Sequence, residues 1–299
     1  MTIGPILVTG GQGQVAQALA RLAPARDMEV VLFGRPDFDF DRPATVQTVF
    51  AGRPWAYVVN AAAYTAVDAA EGDEAGAARA NRDGPAMLAA LADRAGIPFI
   101  HISTDYVFDG DKGAPYLESD ATNPTGAYGR TKRGGEEAVM AAGGQAVILR
   151  TAWVYSDTGK NFVKTMLAAG AKLPKLRVVA DQIGSPTAAA DLATAILDII
   201  ALIERDGWKP EYAGVFHATG AGETSWHGLA LATFAEAQRY NGPSPEVEAI
   251  ATADWPTPAR RPADSRLDNT KLQTTFGVTL PDWRASLART VDRLLGPQG

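Results

Sequence analysis

The chain has 299 residues, 46% of them hydrophobic, enough for a large buried core in one α/β domain or in a main domain with a smaller attachment. A formal charge of -6 excludes a general electrostatic footprint for nucleic acid or an anionic membrane, leaving one local basic cluster at Arg260, Arg261 and Arg266. The absence of cysteine excludes disulfides, thiol nucleophiles and Cys-ligated metals.

Met1-Thr2-Ile3 lacks the charged head of a signal peptide and no apolar run reaches membrane length, so the expected location is the cytoplasm. Ile3 to Thr9 is a short apolar run of the kind that forms a strand buried on both faces. Gly10, Gly11, Gln12, Gly13, Gln14, Val15 and Ala16 follow it directly and open a helix over Gln14 to Leu22. Gly10 permits the tight turn, Gly13 lets a pyrophosphate approach the helix N-terminus, and Ala16 takes the packing position. A turn that uses glycine for geometry alone is the plain alternative.

The second strand, Glu29 to Phe33, ends in Phe33-Gly34-Arg35 where a ribose-reading carboxylate is usual, and an arginine there accommodates a 2′-phosphate. NADPH is therefore favoured over NADH. Asp37, Asp39 and Asp41 alternate beyond it without the glycine and glutamate of a calcium loop, so a solvated turn with Asp39 and Phe40 near the adenine is expected. After a helix over Pro43 to Phe50, the third strand, Tyr57 to Asn60, runs into Ala61, Ala62, Ala63, Tyr64 and Thr65. Such small residues at a strand's carboxyl end let backbone lie against a nucleotide.

A helix over Asp73 to Arg94 leads to a fourth strand, Phe99 to Ser103, followed by Thr104, Asp105 and Tyr106. The three histidines, His101, His217 and His227, lack metal spacing and read as structural. A helix over Gly126 to Ala142 carries Tyr128 and Lys132, whose spacing places both on one face, with the ammonium near enough to favour the phenolate. Thr104 at a carboxyl edge is suited to bond a carbonyl while Tyr128 supplies a proton. Alone, either motif is weak; together behind a glycine turn they form a candidate site.

A fifth strand, Ala146 to Thr151, completes the regular alternation, which predicts a Rossmann-like, doubly wound parallel sheet. Beyond it come helices near Ala188 to Glu204 and Ser225 to Tyr240, a strand at Val215 to His217, a proline- and arginine-rich loop over Trp255 to Asp268, and a closing helix near Trp283 to Leu295. The expected division is a dinucleotide domain over 1–152 and a smaller, interleaved C-terminal substrate lobe over 153–299, with segments near 177–205 returning to the first sheet.

Longer strings sharpen the reading. Asn60 to Asp68, Ser103 to Phe108, Arg150 to Tyr155, Asn161 to Met166, Asp181 to Thr187 and Pro256 to Pro262 resemble the dTDP-4-dehydrorhamnose reductases, within the extended short-chain dehydrogenase/reductase superfamily. With Ser265 to Leu267 they cover essentially the whole chain. The resemblance implies reduction of the 4-keto group of a dTDP-linked deoxysugar, with a small sugar nucleotide as partner. It implies Tyr128 as proton donor, Lys132 holding the nicotinamide ribose, and Thr104 tuning the hydrogen bonds. It places Thr104, Asp105, Tyr106 and Trp153 against the sugar nucleotide. Arg260, Arg261 and Arg266 are candidates for the diphosphate because guanidinium forks match phosphate oxygens.

Some members of the family hold a magnesium ion between protomers through acidic residues on two helices. Here Ala18 and Ala190 occupy those positions, so no metal is expected, and the chain is expected to be a monomer or weak homodimer. Two rivals share the motifs: a sugar-nucleotide epimerase or dehydratase that recycles its cofactor, and a non-catalytic NADP-binding regulatory subunit.

Overall fold

The protein is described by a computed structural model over residues 3–297. Met1 and Thr2, at which the missing signal-peptide head was read, lie outside the described residues. Strands β1 (Ile3–Thr9), β2 (Met28–Phe33), β3 (Tyr57–Asn60), β4 (Phe99–Thr104) and β5 (Ala146–Thr151) form one parallel sheet with the strand Gly214–His217. The spatial order is β2, β1, β3, β4, β5 and then Gly214–His217. The order reverses between β1 and β3, so a crevice opens at their carboxyl ends, where Thr9 and Asn60 are in register.

The period of two along β1 distributes side chains to two cores. Ile6 and Val8 pack with Leu19 of the first helix (Gln14–Leu22) and with Ile196 and Ile200, whereas Leu7 packs with Val46, Leu88 and Val139. Ile196 and Ile200 lie on the helix Ala189–Asp206, so the chain returns to the first sheet after leaving it. Helices Phe162–Gly170, Trp226–Gln238 and Trp283–Leu295 enclose separate apolar clusters beside the paired strands Lys175–Val179 and Glu246–Ile250. Among the described helices, none is long and apolar enough to cross a membrane.

Two local features differ from the sequence expectation. The strands Lys175–Val179 and Glu246–Ile250 each span five residues with charged, exposed positions, too short and polar for the apolar-run signal. The helix expected over Asp73 to Arg94 is three pieces, Glu74–Ala78, a π-turn at Arg79–Asp83, and Gly84–Ala95. Pro85 has no N–H and its ring would meet the carbonyl of Asn81 in a regular helix, which the wider turn avoids. The interruption turns Asn81 to clamp the backbone of Tyr64: Oδ1 accepts from its N–H at 2.8 Å and Nδ2 donates to its carbonyl at 3.1 Å.

The helix Ala127–Ala141 carries Tyr128 and Lys132 and docks at backbone contact distance. A Cβ on Gly129 would lie 2.1 Å from the Tyr106 carbonyl oxygen, and one on Gly135 would lie 2.0 Å from that of Asn81. Its position along the sheet is fixed by Glu136. Arg150 on β5 donates to both carboxylate oxygens, at 2.9 and 2.7 Å, and Ser103 on β4 donates to one at 2.5 Å.

Both charges are almost wholly buried, so Arg150→Met leaves an uncompensated carboxylate and should cost about 3–5 kcal/mol. The check is the denaturant midpoint, with Glu136→Gln added to the same protein; the double variant should recover a large part of the loss.

Candidate active site

A cleft of about 1000 Å³ runs along the carboxyl ends of β1, β3, β4 and β5. At one end lies the glycine turn. Gly10 has φ +86°, and a Cβ there would sit 2.7 Å from the Ala61 carbonyl oxygen, so any side chain would strain the turn and push apart two walls of the cleft. The first helix begins at Gly13 without a side-chain cap, leaving its first-turn N–H groups for a ligand. Thr9 accepts from the Ala62 N–H at 3.1 Å and donates to Asn60 Oδ1 at 2.6 Å, which ties the first loop to the third strand.

At the other end the cleft is lined by Thr104, Asp105, Tyr106, Tyr128, Lys132 and Trp153. Tyr128 stands edge-on to Tyr106, with ring centroids 5.5 Å apart. Burial pushes the Tyr128 phenol well above its ordinary value; the Thr104 hydroxyl acts against that, and Asp105 and Tyr106 add to it. In the free protein burial therefore outweighs the phenolate-favouring influence expected of Lys132. Lys132 itself falls to about 8, because burial penalises its charge more than Glu136 supports it. Asp105 is raised to about 6 by burial, against the Thr104 hydroxyl that donates to its Oδ1 at 2.9 Å. Two buried oxygens on the cleft wall, Asp105 Oδ2 and Thr151 Oγ1, have no protein partner. With the uncapped helix end, that wall chemistry fits a polar ligand that also carries phosphate.

Trp153 has a left-handed φ of +48° and stacks on Trp226, with centroids 3.6 Å apart and planes 7° from parallel. Trp226 is in turn held by its indole N–H donating to Gln182 Oε1 at 3.1 Å.

The cleft gathers Gly10, Gly11, Gln12, Gly13, Gln14, Val15, Arg35, Phe40, Ala62, Ala63, Tyr64 and Thr65 with that chemical end. Asp39 lies behind the wall, where it accepts from Arg35 at 3.0 Å and Arg42 at 3.2 Å. Arg260 and Arg261 instead line a smaller cleft of about 350 Å³ beside Trp255 and Thr257. Arg261 joins the two clefts, donating to the Tyr106 hydroxyl at 3.1 Å and to Asp68 at 2.7 Å. Arg266 is engaged by Asp264 and Glu223. Sequence reading missed Asn81 and Trp226; the only signals were an Asn shortly before Gly84-Pro85 and a tryptophan opening a helix.

The residues do not fit a magnesium ion at the two helices considered above. Ala18 and Ala190 offer no oxygen, and Asp191 already accepts from Ser286 and from Arg289 at 2.8 Å.

The sequence profile of the RmlD substrate binding domain matches residues 4–295. A dTDP-4-dehydrorhamnose reductase from Sinorhizobium fredii is 45% identical over 97% of this chain and 97% of its own. The chain belongs to the dTDP-4-dehydrorhamnose reductase family. A family member from Bacillus anthracis, solved in complex with NADP, superposes with a TM-score of 0.89 at 31% identity, covering 96% of this chain and 98% of that one. A Streptomyces antibioticus relative, 40% identical over 98% of this chain and 96% of its own, is named a probable dTDP-4,6-dihydroxy-2-methyloxan-3-one 4-ketoreductase. This family thus includes relatives named for more than one 4-keto substrate.

Asp105 gives a pH-dependent test of the site. Its folded value, about 6, exceeds the ordinary 3.8, so between these the folded state keeps a proton that the unfolded chain has released. Stability therefore falls as pH rises through that window. Asp105→Asn should gain about 2–3 kcal/mol at pH 8 and nothing near pH 4, read as the melting temperature at each pH.

Proposed function

We propose that this protein reduces the 4-keto group of dTDP-4-dehydro-β-L-rhamnose to give dTDP-L-rhamnose, the last step of dTDP-rhamnose synthesis, using NADPH or NADH. The observation that carries this reading is one cleft joining an uncapped, glycine-turned helix end to Thr104, Tyr128 and Lys132. NADPH is the favoured cofactor because Arg35 lines the cleft at the end of β2. When bound, the reduced nicotinamide supplies a hydride to the carbonyl carbon.

The chain's own residues do the rest. Gly10 to Val15 receive the pyrophosphate, and Ala62 to Thr65 form the wall beside the nucleotide. Phe40 lies near the adenine, with Asp39 behind it orienting Arg35. Tyr128, held neutral by burial, donates its proton as negative charge grows on the ketone oxygen, and Thr104 bonds the same oxygen. Lys132 holds the nicotinamide ribose and keeps positive charge beside the phenol as it gives up its proton. Asp105 accepts from a sugar hydroxyl through its unpartnered oxygen, Trp153 forms the wall for the sugar, and Arg261 reaches toward the diphosphate past Tyr106. Arg260 is exposed enough to join it. In this reading residues 1–152, with the returning helix, bind the dinucleotide, and 153–299 supply mainly the sugar-nucleotide side. The protein would act in the cytoplasm, as a monomer or weak homodimer.

The Streptomyces relative favours one second reading, a 4-ketoreductase for another dTDP-linked deoxysugar. Parallel assays at 340 nm with each 4-keto sugar nucleotide separate the two. An epimerase or dehydratase would recycle its cofactor, whereas this reading requires one reduced cofactor consumed per sugar.

Tyr128→Phe should lower turnover by at least about a hundredfold, the usual contribution of a positioned proton donor, while cofactor affinity stays near that of the wild type. Turnover in that variant at close to the wild-type rate would refute the assignment.

A further inference from the structure

Behind the cleft, Lys132 meets a buried polar chain that the mechanism above does not use. Ala62 N–H donates to Thr9 Oγ1 at 3.1 Å; Thr9 Oγ1 is 2.6 Å from Asn60 Oδ1; Asn60 Nδ2 is 2.9 Å from His101 Nδ1; and His101 Nε2 faces Lys132 Nζ at 3.5 Å. Thr9, Asn60, His101 and Lys132 are each at most 1% exposed, so bulk water does not exchange into these bonds.

The distances fix the protons along the chain. A hydroxyl can accept twice, so the Ala62 bond alone does not direct the Thr9 hydrogen; the 2.6 Å contact to Asn60 does, being an ordinary O–H···O length but short for N–H···O, which makes Thr9 the donor to Asn60 Oδ1. The Asn60 amide is thereby oriented with its NH2 toward His101 Nδ1. That nitrogen must accept, so the neutral imidazole carries its hydrogen on Nε2, facing Lys132. An N–H is no acceptor for an ammonium. The distances agree: Nζ approaches the Ile102 carbonyl oxygen to 2.6 Å and stands off the imidazole at 3.5 Å.

We propose that His101 is a positioning residue for the reduction, locked by Thr9 and Asn60 in the Nε2–H tautomer so that it offers the Lys132 ammonium no acceptor and donates only to the neutral amine. The consequence is twofold. With one ammonium hydrogen on Ile102 and none on His101, the others are left for the cleft, which Lys132 and Tyr128 both line. When Lys132 gives up a proton, its new lone pair receives His101 Nε2–H, so the neutral amine is satisfied and proton release is eased. Around Lys132 stand His101 on β4 and Glu136 one turn along its own helix, with Tyr128 one turn back on the same helix face; Arg150 on β5 engages Glu136. Glu136 favours the charged form and burial opposes it; the same burial, with the charge of Lys132, holds His101 neutral. The consequence for catalysis rests on the function proposed above, whereas the tautomer does not.

The test is nitrogen-15 NMR of histidine-labelled protein, with the His101 signals assigned by their loss in His101→Gln. A neutral Nε2–H imidazole from pH 6 to 9 is expected; an Nδ1–H tautomer or an imidazolium would overturn the proposal. Thr9→Val removes the hydroxyl that orients Asn60 and lets His101 become an acceptor. Lys132, followed by carbon-13 of labelled lysine, should then titrate about one pH unit higher, and the basic limb of kcat/KM should rise with it. Thr9→Ser keeps the hydroxyl and His101→Gln keeps an N–H toward Lys132, so both should retain the wild-type limb. A uniform fall in kcat with Lys132 titration unmoved in Thr9→Val would reduce His101 to packing. Absence of turnover on every 4-keto sugar nucleotide, with the tautomer and the Lys132 shift as stated, would sink the proposed function and not the lock.

Discussion

The carboxylate of Glu136 stands one helical turn past Lys132, accepting from Ser103 on β4 and from Arg150 on β5. Three elements that must agree in register for the chemistry, the strand bearing Thr104, the neighbouring strand and the helix bearing Tyr128, meet at this one group. Apolar packing alone would tolerate a sliding helix, because dispersion contacts are non-directional. A bidentate guanidinium does not. The glycines at 129 and 135 let the helix come close enough for the carboxylate to reach both strands.

Burial then sets the protonation states in this region. It raises Tyr128, lowers Lys132, raises Asp105 and holds His101 neutral. For an oxidation a stubborn phenol would be a defect. For the proposed reduction it is suitable: the proton would stay in place until the substrate oxygen acquires charge, and a cationic Lys132 one helical turn away would stabilise the phenolate left behind. Asp105 shows the accompanying cost in stability, since a buried carboxylate with one unpartnered oxygen carries the desolvation penalty of that group.

Much of this was legible in the residues. The five first strands and the glycine turn follow from apolar runs punctuated by small residues, and Gly10 to Val15 line the cleft while Ala16 packs into the core behind it. What escaped were features set by tertiary contact. Asp39, expected in a solvated turn near the adenine, is tied to Arg35 and Arg42, because alternating aspartates in a turn meet whichever guanidinium folds back on them. Arg266, a candidate for the diphosphate, is held by Asp264 and Glu223, a pairing across more than forty residues to the second of them that no local pattern announces. The π-turn at Asn81 depends on a proline several residues later. His101 reads as structural for want of metal spacing, and its partners Asn60 and Lys132 lie 41 and 31 residues away, beyond any local pattern.

Trp153 shows how the two parts of the chain are made to act on one site. A left-handed tryptophan is costly by about 1–3 kcal/mol and persists only where its surroundings over-determine it. Here the surroundings belong to the second half: the indole lies flat on Trp226, which Gln182 holds and which Phe162 flanks at 4.8 Å. Gln182 in turn donates to Thr252, whose neighbours lead into the loop carrying Arg260 and Arg261. The strained platform, the small second cleft and the arginine that touches Tyr106 are therefore one connected set, while Thr104, Tyr128 and Lys132 are fixed on the first sheet. A ligand that spans both must align the sets through Trp153 and Tyr106, so the geometry at the carbonyl depends on packing that begins well outside the chemical residues.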